Sequence, residues 1–86
     1  MDAHQIILEP LVSEAAFNEV TDHNRLIFIV DRKANKHQIK QAFSQLFEVK
    51  VKKVNTAIGP DGRKKAYIKL DEKDSAMDLA SKLGMF

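Results

Sequence analysis

The apolar positions of this chain change period several times, and each change marks an element. Leu26 to Val30, "LIFIV", is a continuous run of aliphatic, β-branched and aromatic residues between polar flanks. Such a run predicts a central, well-buried strand. Further on the period becomes helical. Ile39, Ala42, Phe43, Leu46 and Phe47 fall at i, i+3, i+4, i+7 and i+8, the apolar stripe of an amphipathic helix. Asn35 stands where its cap belongs, and Gln38, three residues on, completes the spacing of a capping box. In a chain of 86 residues only a sheet can cover that stripe.

The stretch that follows, "LFEVKVKKVNTA" (residues 46–57), alternates as a strand through Val49, Lys50, Val51 and Lys52, and then slips phase at Lys53. A β-bulge at Lys52-Lys53 accounts for the slip, because two consecutive residues then face one partner and the side chains beyond are re-aimed. Val54 turns inward and both lysines stay outside; a twist or a change of buried face at the sheet rim is the plainer alternative. The strand is expected over Val49–Ile58. "GPDG" (59–62) has Pro at the second turn position and a glycine free to take positive φ. After it Ala66, Ile68 and Leu70 alternate with Lys65, Tyr67 and Lys69, so the two strands form an antiparallel hairpin with one apolar and one basic face.

The ends are shorter readings. Ile6-Ile7-Leu8, closed by Pro10, suits an edge strand or a lead-in segment. Ser13 caps a helix from about Glu14 to Val20, with Val12 and Phe17 at staple spacing and "TDHN" as its closing turn. Asp74 is expected to cap a last helix with Ala76, Leu79, Ala80 and Leu83 on one face and Gly84 as its C-cap. The sum is one α+β domain over residues 1–86: a mostly antiparallel sheet of three to four strands covered by about three helices.

Charge sharpens this picture. The net charge of +2 conceals an uneven spread: residues 1–31 hold one Arg against six acids, whereas residues 32–69 hold eleven Lys or Arg against Glu48 and Asp61. The spread suggests one basic face directed at a polyanion, and lysines that only solvate strand surfaces account for it equally well. The hairpin gathers Lys50, Lys52, Lys53, Arg63, Lys64, Lys65 and Lys69, with Lys36 and Lys40 on the preceding helix. Lysine and arginine contact phosphates without reading sequence. Asn55 and Thr56 can donate to phosphate, ribose or a base edge, or serve the strand end itself. Tyr67 can stack on a base or lie over lysine stems.

Other chemistry finds little footing. There is no cysteine for a disulfide or thiolate site. His4, His23 and His37 lack the spacing of metal ligands or a triad, and no glycine-rich phosphate loop occurs. No enzyme activity, catalytic residue, metal or cofactor is therefore expected. No apolar segment reaches the length of a membrane span, and the opening "MDAHQIILEP" lacks the basic start of a signal peptide. A reducing, cytoplasmic setting without membrane insertion is the expectation.

Three segments carry a resemblance: "EPLVSEAA" (9–16), "NKHQIKQAFSQLFEVKVKKVNT" (35–56), and "GRKKAYIKL" (62–70) with the tail "LASKLGMF". From about Leu8 to Phe86 the chain resembles the universal large-subunit ribosomal proteins of the twenty-three family, in their short archaeal form. The resemblance implies a ribosome-bound protein that binds large-subunit ribosomal RNA at the rim of the polypeptide exit tunnel, beside neighbouring ribosomal proteins. It implies RNA contacts at Lys52, Lys53, Asn55, Thr56, Arg63, Lys64 and Lys65. It also implies a docking platform for the signal recognition particle, the protein-conducting channel and, in bacteria, trigger factor. The family's "VSE" docking motif falls on Val12, Ser13 and Glu14; Ala15 stands where relatives usually have a basic residue. Bacterial members have a long hairpin loop reaching into the tunnel, whereas here "GPDGR" alone joins the strands, so the resemblance does not extend to that loop. The rival from another class is a free regulatory or adaptor domain acting through protein contacts.

Overall fold

A computed structural model of the chain describes residues 2–86. Among them the order is α1 (Ala3–Ile6), β1 (Ile7–Pro10), α2 (Glu14–His23), β2 (Arg25–Val30), α3 (Lys36–Phe47), β3 (Val51–Ile58), β4 (Lys64–Leu70) and α4 (Ala76–Lys82). The strands form one antiparallel sheet in the order β1-β2-β4-β3. The fold is α+β, as the pattern of periods required.

Directly paired residues in an antiparallel sheet point to the same face, so the register assigns each side chain to a layer. Leu26 pairs with Ile68, and Ile68 with Val54; Phe28 pairs with Ala66, and Leu70 with Val51. These residues all belong to one buried cluster, to which every helix contributes: Ile6 from α1, Val20 from α2, Ile39, Ala42 and Phe43 from α3, Leu79 and Ala80 from α4. Phe28 anchors α3 through two aromatic contacts, with ring centroids 5.2 Å from Phe43 and 5.8 Å from Phe47. The contact with Phe43 is edge-to-face and adds to what burial alone supplies.

Local signals set most helix ends. The Asn35 carboxamide accepts from Gln38 N at 2.8 Å, and Gln38 Oε1 accepts in return from Asn35 N at 2.9 Å. Ser13 Oγ accepts from Ala16 N at 3.1 Å and starts α2. In the hairpin turn, Gly62 N–H donates to Gly59 O at 2.9 Å, with Gly62 at φ 82°.

Several ends differ from the sequence expectation, some for a local and some for a tertiary reason. Ile6 lies in the helical turn α1, capped by Asp2 and Gln5 in a second capping box, so β1 begins at Ile7. α2 runs three residues past Val20, because the chain reverses only at Asn24, held in the left-handed region at φ 54°. β3 starts at Val51 instead of Val49, since Glu48 turns at φ 54° and Lys50 N donates to the Asp74 carboxylate at 2.8 Å. That bond engages Asp74, and the cap of α4 is Ser75, whose Oγ accepts from Asp78 N at 3.2 Å. Leu83 leaves the apolar face of α4 and is 38% exposed; Met85 is buried instead. Gly84 at φ 71° permits this: its N–H bonds Ser81 O at 3.1 Å while Met85 N bonds Ala80 O at 3.0 Å, a Schellman closure.

Asn24 joins four elements. Its backbone O accepts from Leu70 N at 3.1 Å, its Nδ2 donates to Asp74 O at 3.0 Å, and its Oδ1 accepts from Ala76 N at 2.7 Å. Asn24→Ala should lower the urea-unfolding free energy by about 2–4 kcal/mol, from orphaned backbone groups plus the cost of a left-handed alanine. Asn24→Gly, which keeps the backbone freedom, should lose about 1 kcal/mol less. A glycine variant as stable as the parent would show that the side-chain bridge contributes nothing.

Candidate nucleic-acid interface

The irregularity in β3 builds the surface. Val51 pairs with Leu70, and the next pair is Lys53 with Lys69, so Lys52 is the extra residue of a bulge. Lys52 and Lys53 are both exposed, Val51 and Val54 both buried. The bulge expected from the phase slip is present, and it keeps both valines on the inner layer. Beyond it alternation resumes, and the faces of Asn55 and Thr56 separate. Asn55 pairs with Tyr67 on the outward rows, whereas Thr56 pairs with Ala66 on the inner ones. The two residues therefore present to different sides of the sheet.

The outward rows read across the strands as Arg25–Lys69–Lys53, Ile27–Tyr67–Asn55 and Ile29–Lys65–Ala57. Lys53 is exposed, while Lys65, Tyr67 and Lys69 are half-buried. Ile27 and Ile29 explain the second fact: buried outside the main cluster, they stand directly opposite Tyr67 and Lys65. The ring of Tyr67 and the stem of Lys65 thus cover apolar surface while their polar ends stay in water. Like charges directly opposite in a sheet repel. In the first row that repulsion is relieved at one end, where Arg25 Nε meets Glu19 Oε2 of α2 at 3.0 Å. Arg25 is a member of the basic face that counting charge by segments of the chain hides; the alternation running back from Leu26 is the signal that marks it.

The remaining basic residues occupy other surfaces. Arg63 and Lys64 lie at the hairpin turn, where the Arg63 guanidinium pairs with Glu9 of β1. Lys64, on the inner row with Val30 and Ile58, sends its ammonium to Ala34 O at 2.6 Å. Lys50 precedes β3 and is exposed. Lys36 and Lys40, one turn apart on α3, are exposed on the helical layer, away from the rows of Lys53, Lys65 and Lys69. Val12, Ser13 and Glu14, at the start of α2, are exposed too, Val12 at 56%. Nearby, Phe17 is 38% exposed and meets Phe86 edge-to-face at 5.1 Å. Among the described residues no three His, Cys, Asp or Glu side chains gather as metal ligands, and no helix is long and apolar enough to cross a membrane.

In class, this is a small α+β domain with a row of cations on the outer face of its sheet and others at its hairpin turn, its loops and its helical layer. The family model described as Ribosomal protein L23 matches residues 5–78, and the chain belongs to that family. It is 49% identical over 86 residues to a spinach (Spinacia oleracea) protein named large ribosomal subunit protein uL23c, a match that covers 100% of this chain and 43% of that one. It is 51% identical over 84 residues to large ribosomal subunit protein uL23 of Cyberlindnera jadinii, and 49% identical over 84 residues to that of Candida albicans. In both cases 98% of this chain and 59% of the relative are covered. The chain thus spans about half the length of the curated relatives it matches.

Deletion of Lys52 tests the bulge. It leaves Val51, Lys53 and Val54 in regular alternation, so the inner rows keep their partners. The variant should fold with a stability change under about 1 kcal/mol, a melting shift below about 8 °C. Loss of the fold would mean that the extra residue sets the register.

Proposed function

We propose that this chain is a structural constituent of the large ribosomal subunit that binds large-subunit ribosomal RNA in the cytoplasm and carries out no catalysis. The observation that carries this reading is the outward face of β3 and β4, with Lys53, Lys65 and Lys69 around Tyr67 and Asn55, on a chain of the ribosomal protein L23 family. Lysines at sheet spacing meet phosphates at little conformational cost, because the strand backbone is already fixed. Tyr67 offers a ring for stacking, and Asn55 a polar group beside it. The names of the relatives place those proteins in the large subunit, in agreement with the reading.

Within that role we assign the chain to the exit-tunnel rim, beside neighbouring ribosomal proteins, with α2 as a docking element for targeting factors such as the signal recognition particle and the protein-conducting channel. A distinct observation favours the docking part. Leu8 and Leu83, exposed at 55% and 38%, line an apolar cleft of about 350 Å³ with Pro10 and Phe47. Exposed apolar side chains grouped in this way mark surfaces that meet other proteins. Val12, Phe17 and Phe86 add further exposed apolar surface on and beside α2, with Glu14 in its first turn.

Lys53, Lys65 and Lys69 changed together to Glu should weaken binding to large-subunit RNA more than tenfold at low salt and flatten the dependence of log affinity on log salt. Circular dichroism should stay at the parent's. Unchanged affinity would overturn the RNA reading, and a chain that sediments apart from ribosomal particles would favour a free adaptor domain. A photocrosslinker at position 14 on assembled ribosomes should capture targeting factors; crosslinks to RNA alone would refute the docking assignment.

A further inference from the structure

The hairpin turn, the loop between β2 and α3, and the edge strand β1 converge at one corner of the sheet. They enclose an open cavity of about 400 Å³ whose walls include Glu9, Asp31, Arg32, Lys33, Arg63 and Lys64. Four cations therefore face two acids, and the internal contacts divide them. Lys64 Nζ donates to Ala34 O at 2.6 Å and reaches Arg32 O at 3.5 Å, which pins the loop that carries Arg32 and Lys33. Asp31 Oδ1 accepts from Lys33 N at 2.7 Å and so shapes the same loop. The Arg63 guanidinium rests on the Glu9 carboxylate. Arg32 and Lys33 are exposed and form no ion pair among the described residues. Arg32 stays close nonetheless: its Nη1 lies 3.9 Å from the position a Cβ on Gly62 would take, beside the turn that presents Arg63.

We propose that this corner is a phosphate clasp for the RNA backbone, an inference that rests on the RNA-binding reading above. Arg32, Lys33 and Arg63 receive the phosphate. Lys64 is a positioning residue that holds their loop against the hairpin. Glu9 occupies Arg63 until phosphate displaces it. A carboxylate is the side chain that best imitates one edge of a phosphate toward a guanidinium fork, so Glu9 keeps Arg63 aimed across the cavity. Both partners are about half exposed, at 47% and 55% of their side-chain surface, and an exposed pair of this kind is weak. A phosphodiester held by two further cations can therefore replace it. The clasp lies at the loop end of the hairpin, so together with the lysine rows it gives a duplex or folded strand two points of attachment.

The test measures binding of the full chain to transcripts tiling large-subunit RNA, by fluorescence anisotropy between about 50 and 200 mM salt. Arg32→Gln with Lys33→Gln should weaken binding several-fold and flatten the salt slope by about one for each phosphate that no longer meets a cation. Glu9→Gln should tighten binding about two- to fivefold. Lys64→Met should weaken binding alone but add almost nothing in the Arg32→Gln/Lys33→Gln background, whereas a direct phosphate contact would flatten the slope further. If the Arg32/Lys33 variant keeps the parent's affinity and slope while the Lys53/Lys65/Lys69 variant loses binding, the clasp is wrong and the RNA reading stands. Unchanged or weaker binding by Glu9→Gln overturns the displacement of Glu9. A parent chain that binds none of the transcripts removes both.

Discussion

The alternation of the central pair, β2 and β4, is the constraint to which the rest of the molecule is fitted. Once Leu26, Phe28 and Val30 face the helices and pair with Ile68, Ala66 and Lys64, every later residue of the sheet is assigned a side. β3 has to place Val51 and Val54 inward although they are three apart, and a strand of period two cannot do so without one extra residue. The bulge supplies it, and the extra residue is a lysine. A packing requirement of the core thus creates the local crowding of cations on the outer surface.

That crowding carries a cost in the isolated chain. Adjacent cations in one row repel, and net charge concentrated on one face opposes the compact state. The fold offsets part of this with acids drawn from elsewhere: Glu19 of α2 meets Arg25, and Glu9 of β1 meets Arg63. Lys64 is satisfied by carbonyls instead of a carboxylate. Lys53, Lys65 and Lys69 have no acidic partner among the described residues. On the proposed reading RNA phosphates neutralise these three together with Arg32 and Lys33, while Lys64 positions a loop and Arg63 waits on Glu9 for displacement.

Features encoded within a few residues are legible in the sequence. The Asn35–Gln38 box, the Gly62 turn, the Ser13 cap and the bulge at Lys52-Lys53 each follow from local sterics or period, and each is present. Features that depend on distant partners are not. Asp74 has the makings of a helix cap, yet an amide of Lys50, twenty-four positions away, takes its carboxylate. Asn24 reads locally as part of a turn, and its bonds to Asp74 and Ala76 span the whole hairpin. Asn55 and Thr56 look like a pair because they are adjacent, whereas a strand separates neighbours onto opposite faces. The α1 turn is legible in principle, since Asp2 and Gln5 have the spacing of a capping box, but its apolar Ile6 reads equally well as strand.

The same logic explains why charge counting finds the basic region but not its membership. Segment totals place Arg25 in the acidic segment of residues 1–31 and Lys36 in the basic segment of residues 32–69. The sheet reverses that assignment: antiparallel pairing brings Arg25 level with Lys69 and Lys53, while Lys36 travels with α3 to the helical layer. Charge becomes a surface only through register, and register is fixed here by where the buried valines must go. A substitution that moved the bulge along β3 would therefore change the outer face more than a change of any one lysine, although it touches no charged group.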